Sequence, residues 1–89
     1  MGANEIAGVI NLLQASPSGT FHVVDMDKNC AVEILQDSIK VTIEKRSSKA
    51  GIIKTPLAVE PASLECKDGA AYIMRCSDTI KTAQKRKPC

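Results

Sequence analysis

Chemistry in this chain would have to come from four cysteines, one histidine and a scatter of lysines and arginines. Cys30, Cys66, Cys76 and Cys89 contain no C-x2-4-C pair, the arrangement by which a structural zinc site holds two thiolates on one tight turn. If Asp68-Gly69 is a two-residue hairpin loop, Cys66 faces Ala71, and Cys76 lies roughly 17 Å further along its strand at ~3.3 Å per residue. That is beyond the reach of a disulfide. The spacing therefore predicts free thiols and, with them, a reducing cytoplasmic compartment. Cys89, in a basic tail, is the thiol expected to be most accessible. His22 sits on the order of 13 Å from the cross-strand partner of Cys30 in the hairpin described below, too far for a nucleophilic pair. Asp25 points to the opposite face from His22 and cannot orient it. Glu33 and Glu44 are placed to meet across neighbouring strands, as outward polar residues of a sheet commonly do. No G-x-S-x-G, P-loop or Rossmann glycine pattern occurs. No catalytic, metal-binding or cofactor-binding residue is predicted, and the chain reads as a non-enzyme.

Basic residues carry the remaining candidate chemistry. Lys45, Arg46, Lys49 and Lys54 lie on and around a polar stretch over residues 46–51, and Lys81, Lys85, Arg86 and Lys87 crowd the tail. Where these groups meet they would form a phosphate-binding surface, since phosphate contacts need only cations. Base recognition on a sheet needs stacking aromatics, and Tyr72 is the only aromatic in the C-terminal half. Nucleic acid would then be bound weakly, with strong salt dependence and little sequence preference. Residues 1–44 hold two basic and six acidic side chains and residues 45–89 hold ten and four, giving −4 and +6. Such a split suits head-to-tail contact between copies, or an anion-binding end.

The elements that must position these residues are organised around residues 38–46, where Ile39, Val41 and Ile43 alternate with Lys40, Thr42 and Glu44. This is the pattern of a half-buried central strand. A helix is predicted over residues 4–15, with Ile6, Val9, Ile10 and Leu13 drawing one apolar stripe and Asn4 or Glu5 at its positive end. Gly8 within it suggests close approach to the sheet. Ser16-Pro17-Ser18-Gly19 ends the helix. Residues 20–26 and 30–35 read as a hairpin around Asp27-Lys28-Asn29, with His22, Val24, Met26, Cys30, Val32 and Ile34 on one face. A two-residue loop would instead bury Asp25 beside Phe21 and Val23, a costly arrangement. Residues 46–51 read as a mobile loop. Residues 52–60 have strand composition, confined to an edge by Pro56. A second hairpin, residues 64–67 with 70–76, is predicted at Asp68-Gly69. The tail from Ser77 forms at most two turns of helix before disorder.

These readings assemble into one small α+β domain over residues 1–89, with a basic, flexible tail from about residue 78. An N-terminal amphipathic helix packs on a meandering antiparallel sheet of five or six strands, able to curl into a partial barrel. This order, a helix followed by about five strands, resembles that of the Sm-like and OB-type small β-barrels, many of which form rings or bind nucleic acid. No motif residues of those families occur here. With one Phe, one Tyr and no Trp, the core must be thin and aliphatic, leaving strand edges that invite a partner. No apolar run approaches the ~18 residues of a spanning helix. Met1-Gly2 opens like a myristoylation site, but Ile6 stands where Ser or Thr is needed. The expectation is a soluble binding or assembly module that pairs with itself or another protein, with no membrane contact. The alternative is nucleic-acid binding through the residues named above.

Overall fold

Ala3, Ile6, Ala7, Ile10 and Leu13 are the buried residues of the helix α1 (Ala3–Gln14), spaced to form a single stripe, while Leu12 on the far side is 61% exposed. A computed structural model describes residues 3–26, 30–52, 57–66, 69–85 and 89. It shows α1 packed on two four-stranded sheets, a mixed α+β architecture. Among the described residues, eight strands follow the helix rather than the expected five or six: β1 (Phe21–Asp25), β2 (Cys30–Ile34), β3 (Ser38–Ile43), β4 (Arg46–Gly51), β5 (Ala58–Val59), β6 (Ala62–Glu65), β7 (Ala70–Arg75) and β8 (Thr79–Ala83). The first sheet has the order β1-β7-β8-β5 and the second the order β4-β3-β2-β6, so no closed barrel forms. The helix touches β3 and β4 of one sheet and β1, β7 and β8 of the other.

Predicted faces survive, while predicted partners often do not. Of the six residues predicted on one face, Val24, Met26, Cys30, Val32 and Ile34 are buried as the alternation requires, whereas His22 is exposed. Yet β1 and β2 do not pair: β1 lies beside β7, and β2 lies between β3 and β6. Alternation decides which side of a strand meets the core and is silent about its neighbour. The central strand is confirmed as β3, an interior strand with Ile39 and Val41 buried. Residues 46–51 are strand β4 rather than a loop, paired with β3 along its whole length. Glu44 and Lys45 make the turn with φ of 48° and 70°. Both are left-handed, as a two-residue hairpin turn needs, without the Asn-Gly that usually announces it. Gly8 is exposed and a Cβ there would meet nothing within 4 Å, so no close approach accounts for it.

The Asp68-Gly69 signal marks a change of sheet. Gly69 adopts φ of 93° and its N–H donates to the Cys66 carbonyl at 3.0 Å, yet β6 joins the second sheet and β7 the first. Asp68 itself lies outside the described residues, as do Asp27, Lys28, Asn29, Lys54, Pro56, Arg86 and Lys87. The short segment Ala58–Val59 sits at an edge, parallel to β8. In the tail, Thr79–Ala83 is strand rather than helix: Ile80 enters the core, and Lys81 and Ala83 face the other way, opposite Met74 and Tyr72.

Both disulfides overturn the expectation of free thiols. Cys30 and Cys66 continue the antiparallel register of β2 and β6 by one position beyond Ala31 and Glu65, with Cα atoms 5.1 Å apart, and form a bond. Cys76 bonds Cys89 across a Cα distance of 5.5 Å. The hairpin assumed for Cys66 and Cys76 tested only that pair, and the chain's return to the second sheet supplies the missing partner. A reducing cytoplasmic location was inferred from unpaired cysteines, and it falls with them. No helix among the described residues is long and apolar enough to cross a membrane. Replacing Cys30 and Cys66 together by Ala should lower the unfolding free energy by about 4 kcal/mol from loop-closure entropy, against about 3 kcal/mol for Cys76 and Cys89. Urea unfolding without reductant measures both; equal stability of the parent chain in oxidised and reduced form would contradict the assignment.

Candidate functional site

The second sheet turns a polar face to solvent, and its register places every group on it. One cross-strand row runs Ser63, Glu33, Lys40, Lys49 over β6, β2, β3 and β4, and the next runs Glu65, Ala31, Thr42, Ser47. Thr42 and Ser47 hydroxyls lie 3.1 Å apart in a hydrogen bond across β3 and β4. Between these rows an open groove of about 340 Å³ is lined by Glu33, Lys40, Thr42, Ser63 and Glu65. Glu33 faces Lys40 rather than Glu44, which belongs to the turn, so the two carboxylates do not meet on the ladder.

Of the basic residues singled out in the sequence, Lys45, Arg46 and Lys49 are all exposed on the β3–β4 hairpin. The ladder divides them by face: Lys49 shares the polar face with Lys40, and Arg46, opposite Ile43, belongs to the other. Lys81 lies on β8 of the first sheet and Lys85 follows it, so no ladder joins them to the hairpin. Lys54, Arg86 and Lys87 lie outside the described residues. The Cys76–Cys89 bond encloses Lys81, Lys85, Arg86 and Lys87 in one covalent ring of the chain. Lys40 joins Lys49 on the polar face. Its position opposite Lys49 follows from the register of β4, where the sequence predicts a loop.

His22 is exposed on β1 opposite Ile73. All four cysteines are engaged in disulfides, which removes the thiolate that a Cys–His nucleophile or a thiolate metal ligand would need.

The first sheet's outer face is different in character. Phe21 and Val23 project from β1 opposite Met74 and Tyr72 of β7, remaining 37% and 42% exposed. Phe21 and Tyr72, the chain's two aromatic residues, approach with ring centroids 6.4 Å apart, within the range of favourable aromatic pairs. An aromatic pair on an outer face, while the core stays aliphatic, is the reverse of ordinary usage. The signal was present in the period of residues 21–25, where the residues alternating with Val24 are Phe21, Val23 and Asp25.

Like charges placed directly opposite in a ladder are destabilising, and opposite charges contribute roughly 0.2–1 kcal/mol. Lys49→Glu should therefore stabilise the fold by several tenths of a kcal/mol through Lys40, as read by urea unfolding at low salt. A loss of stability there would refute the Lys40–Lys49 register.

Comparison with protein-family models, with curated proteins and with solved structures found no match.

Proposed function

We propose that this chain is a non-enzymatic binding and assembly module that works as a homo-oligomer, with β1 as the contact strand. The observation that carries this reading is Val23, an apolar residue 42% exposed at the centre of a strand that ends its sheet. Hydrogen-bond parity supports it. The Arg75 N–H donates to the Thr20 carbonyl at 2.7 Å and the Met26 N–H donates to the Gly69 carbonyl at 3.1 Å. Even-numbered positions therefore face β7, and Val23 directs its own N–H and C=O off the sheet edge. Such an edge is a template for another strand. Antiparallel pairing with a second copy about a two-fold axis at Val23 sets Val23 opposite Val23 and keeps the Asp25 carboxylates apart. The paired sheet becomes continuous, and Phe21, Val23 and Tyr72 of both copies form one apolar strip, as an isologous interface requires.

Native mass measured by light scattering behind size exclusion should exceed one chain at micromolar concentration. Val23→Lys should return it to one chain while leaving the circular dichroism spectrum intact. A parent chain that stays monomeric at every concentration and salt tested refutes the reading.

Nucleic-acid binding through the β3–β4 hairpin is the second reading, supported by the Lys40–Lys49 pair, two like charges held opposite each other, with Lys45 exposed in the turn of the same hairpin. Polyanion binding would relieve that repulsion. Lys49→Glu should weaken binding of a short single-stranded nucleic acid and flatten its salt slope by about one contact's worth. Unchanged binding excludes the hairpin as its surface.

A further inference from the structure

Arg75 closes β7, an otherwise apolar strand, and its side chain belongs to the core side of the first sheet. Its cross-strand partner is Ile80, which in turn faces Val59, and both are core residues. The guanidinium is divided between two environments. Nη2 reaches the surface and donates to the Ser77 carbonyl at 3.4 Å, whereas Nε and Nη1 are buried without a hydrogen-bond acceptor. Thr82 lies on the same face of β8, two residues beyond Ile80, and its hydroxyl is likewise buried without a partner. Diagonal neighbours of this kind are about 7–8 Å apart between backbones, within reach of a long side chain.

Two buried nitrogens of a permanent cation, with three N–H between them, and one buried hydroxyl are a costly combination in an aliphatic setting. Among the described residues of this face, on β1, β7, β8 and β5, there is no carboxylate to offset the charge; the polar neighbour on β1 is His22. An acceptor carrying negative charge would satisfy these donors and offset the guanidinium charge together. We propose that Arg75 and Thr82 bind a small oxyanion, a phosphate or a carboxylate, which enters at the Ser77 end where Nη2 meets solvent. Guanidinium suits this task because it cannot lose its charge and directs several donors in fixed geometry toward planar or tetrahedral oxyanions. The site is separate from the β1 edge and from the Lys40–Lys49 face, so its test stands apart from both functional readings.

The experiment follows the arginine Nε–H resonances of the intact, oxidised chain while sodium phosphate or sodium acetate is titrated at constant ionic strength. The chain has three arginines, Arg46, Arg75 and Arg86, so each signal can be assigned. The Arg75 resonance should move and saturate with at least one anion, while those of Arg46 and Arg86 do not saturate. The anion that saturates first distinguishes a phosphate-bearing from a carboxylate-bearing ligand. An Arg75 signal that stays still with both anions, or moves no more than the other two, overturns the proposal. In a second arm, Arg75→Gln should weaken anion binding about 10- to 100-fold, the loss expected for a charge-assisted hydrogen bond. Anion-induced thermal stabilisation of equal size in parent and variant overturns it as well. The titration uses the parent chain alone and stands even if the variant folds poorly.

Discussion

Two sheets that share no backbone ladder have to be held together by side chains, and the apolar stripe of α1 is the main means. Ile6, Ile10 and Leu13 are almost fully buried because the helix lies against β3 and β4 on one side and against β1, β7 and β8 on the other. Ile34, Ile39, Val41, Ile73 and Ile80 supply the facing surface from both sheets. Burial of one such side chain contributes roughly 1.5–3 kcal/mol, so the helix binds the sheets more firmly than any single polar contact between them. The Gln84 side-chain amide, which donates to the Glu65 carbonyl at 2.6 Å, is a contact of the latter kind, fixing the corner where β8 passes β6. Two further contacts register the helix at its ends: the Ala3 N–H donates to the Ser48 hydroxyl at 3.3 Å, and the turn at Gly19 pairs with Arg75.

An aliphatic core of this size leaves little surplus over the conformational entropy of the chain, and small domains commonly add covalent links for that reason. Here the links fall where the sheets would otherwise loosen. Cys30–Cys66 lies at the end of the β2–β6 ladder, just before the chain leaves for the first sheet, with Met26 sulfur 3.9 Å from Cys66 sulfur inside the core. Cys76–Cys89 returns the end of the chain to the turn between β7 and β8. Cys66 and Cys76 each follow directly on the last residue of a strand, β6 and β7.

What could be read from residues alone was local and periodic. The helix over residues 4–15, the strand containing Ile39 and Val41, and the inward face of Val24, Met26, Cys30, Val32 and Ile34 all follow from period. Pairing does not, because a strand of alternating residues fits many neighbours equally well. That single ambiguity produced the false hairpins at residues 27–29 and 68–69, and through the second of them the false inference about Cys66. Strand β4 was hidden for another reason: Arg46-Ser47-Ser48-Lys49-Ala50-Gly51 contains no β-branched or aromatic residue. It is held extended by β3 and by the helix terminus rather than by its own propensity, as tertiary context allows. Thr79-Ile80-Lys81-Thr82-Ala83 did carry a strand signal in its β-branched residues, masked by the basic residues that follow.

The charge split along the sequence also changes meaning once folded. Residues 1–44 supply α1, β1, β2 and β3, and the more basic second half supplies β4 through β8. Neither half forms a separate body: β2 and β3 lie between β6 and β4, and β1 pairs with β7. Lys49, from the basic half, shares a row with Glu33 and Lys40 of the first half, so acidic and basic residues from both halves meet within it. On this sheet face, charge that is separated along the sequence is brought side by side. In the proposed pairing of copies, attraction would come from short-range features at the β1 edge, where Phe21 and Val23 are exposed. Net charge acts there only as a weak repulsion between like bodies, screened beyond about 8–10 Å at ordinary salt. Pairing through β1, as proposed, would rest on apolar burial and backbone hydrogen bonds, with charge setting only how fast two copies meet.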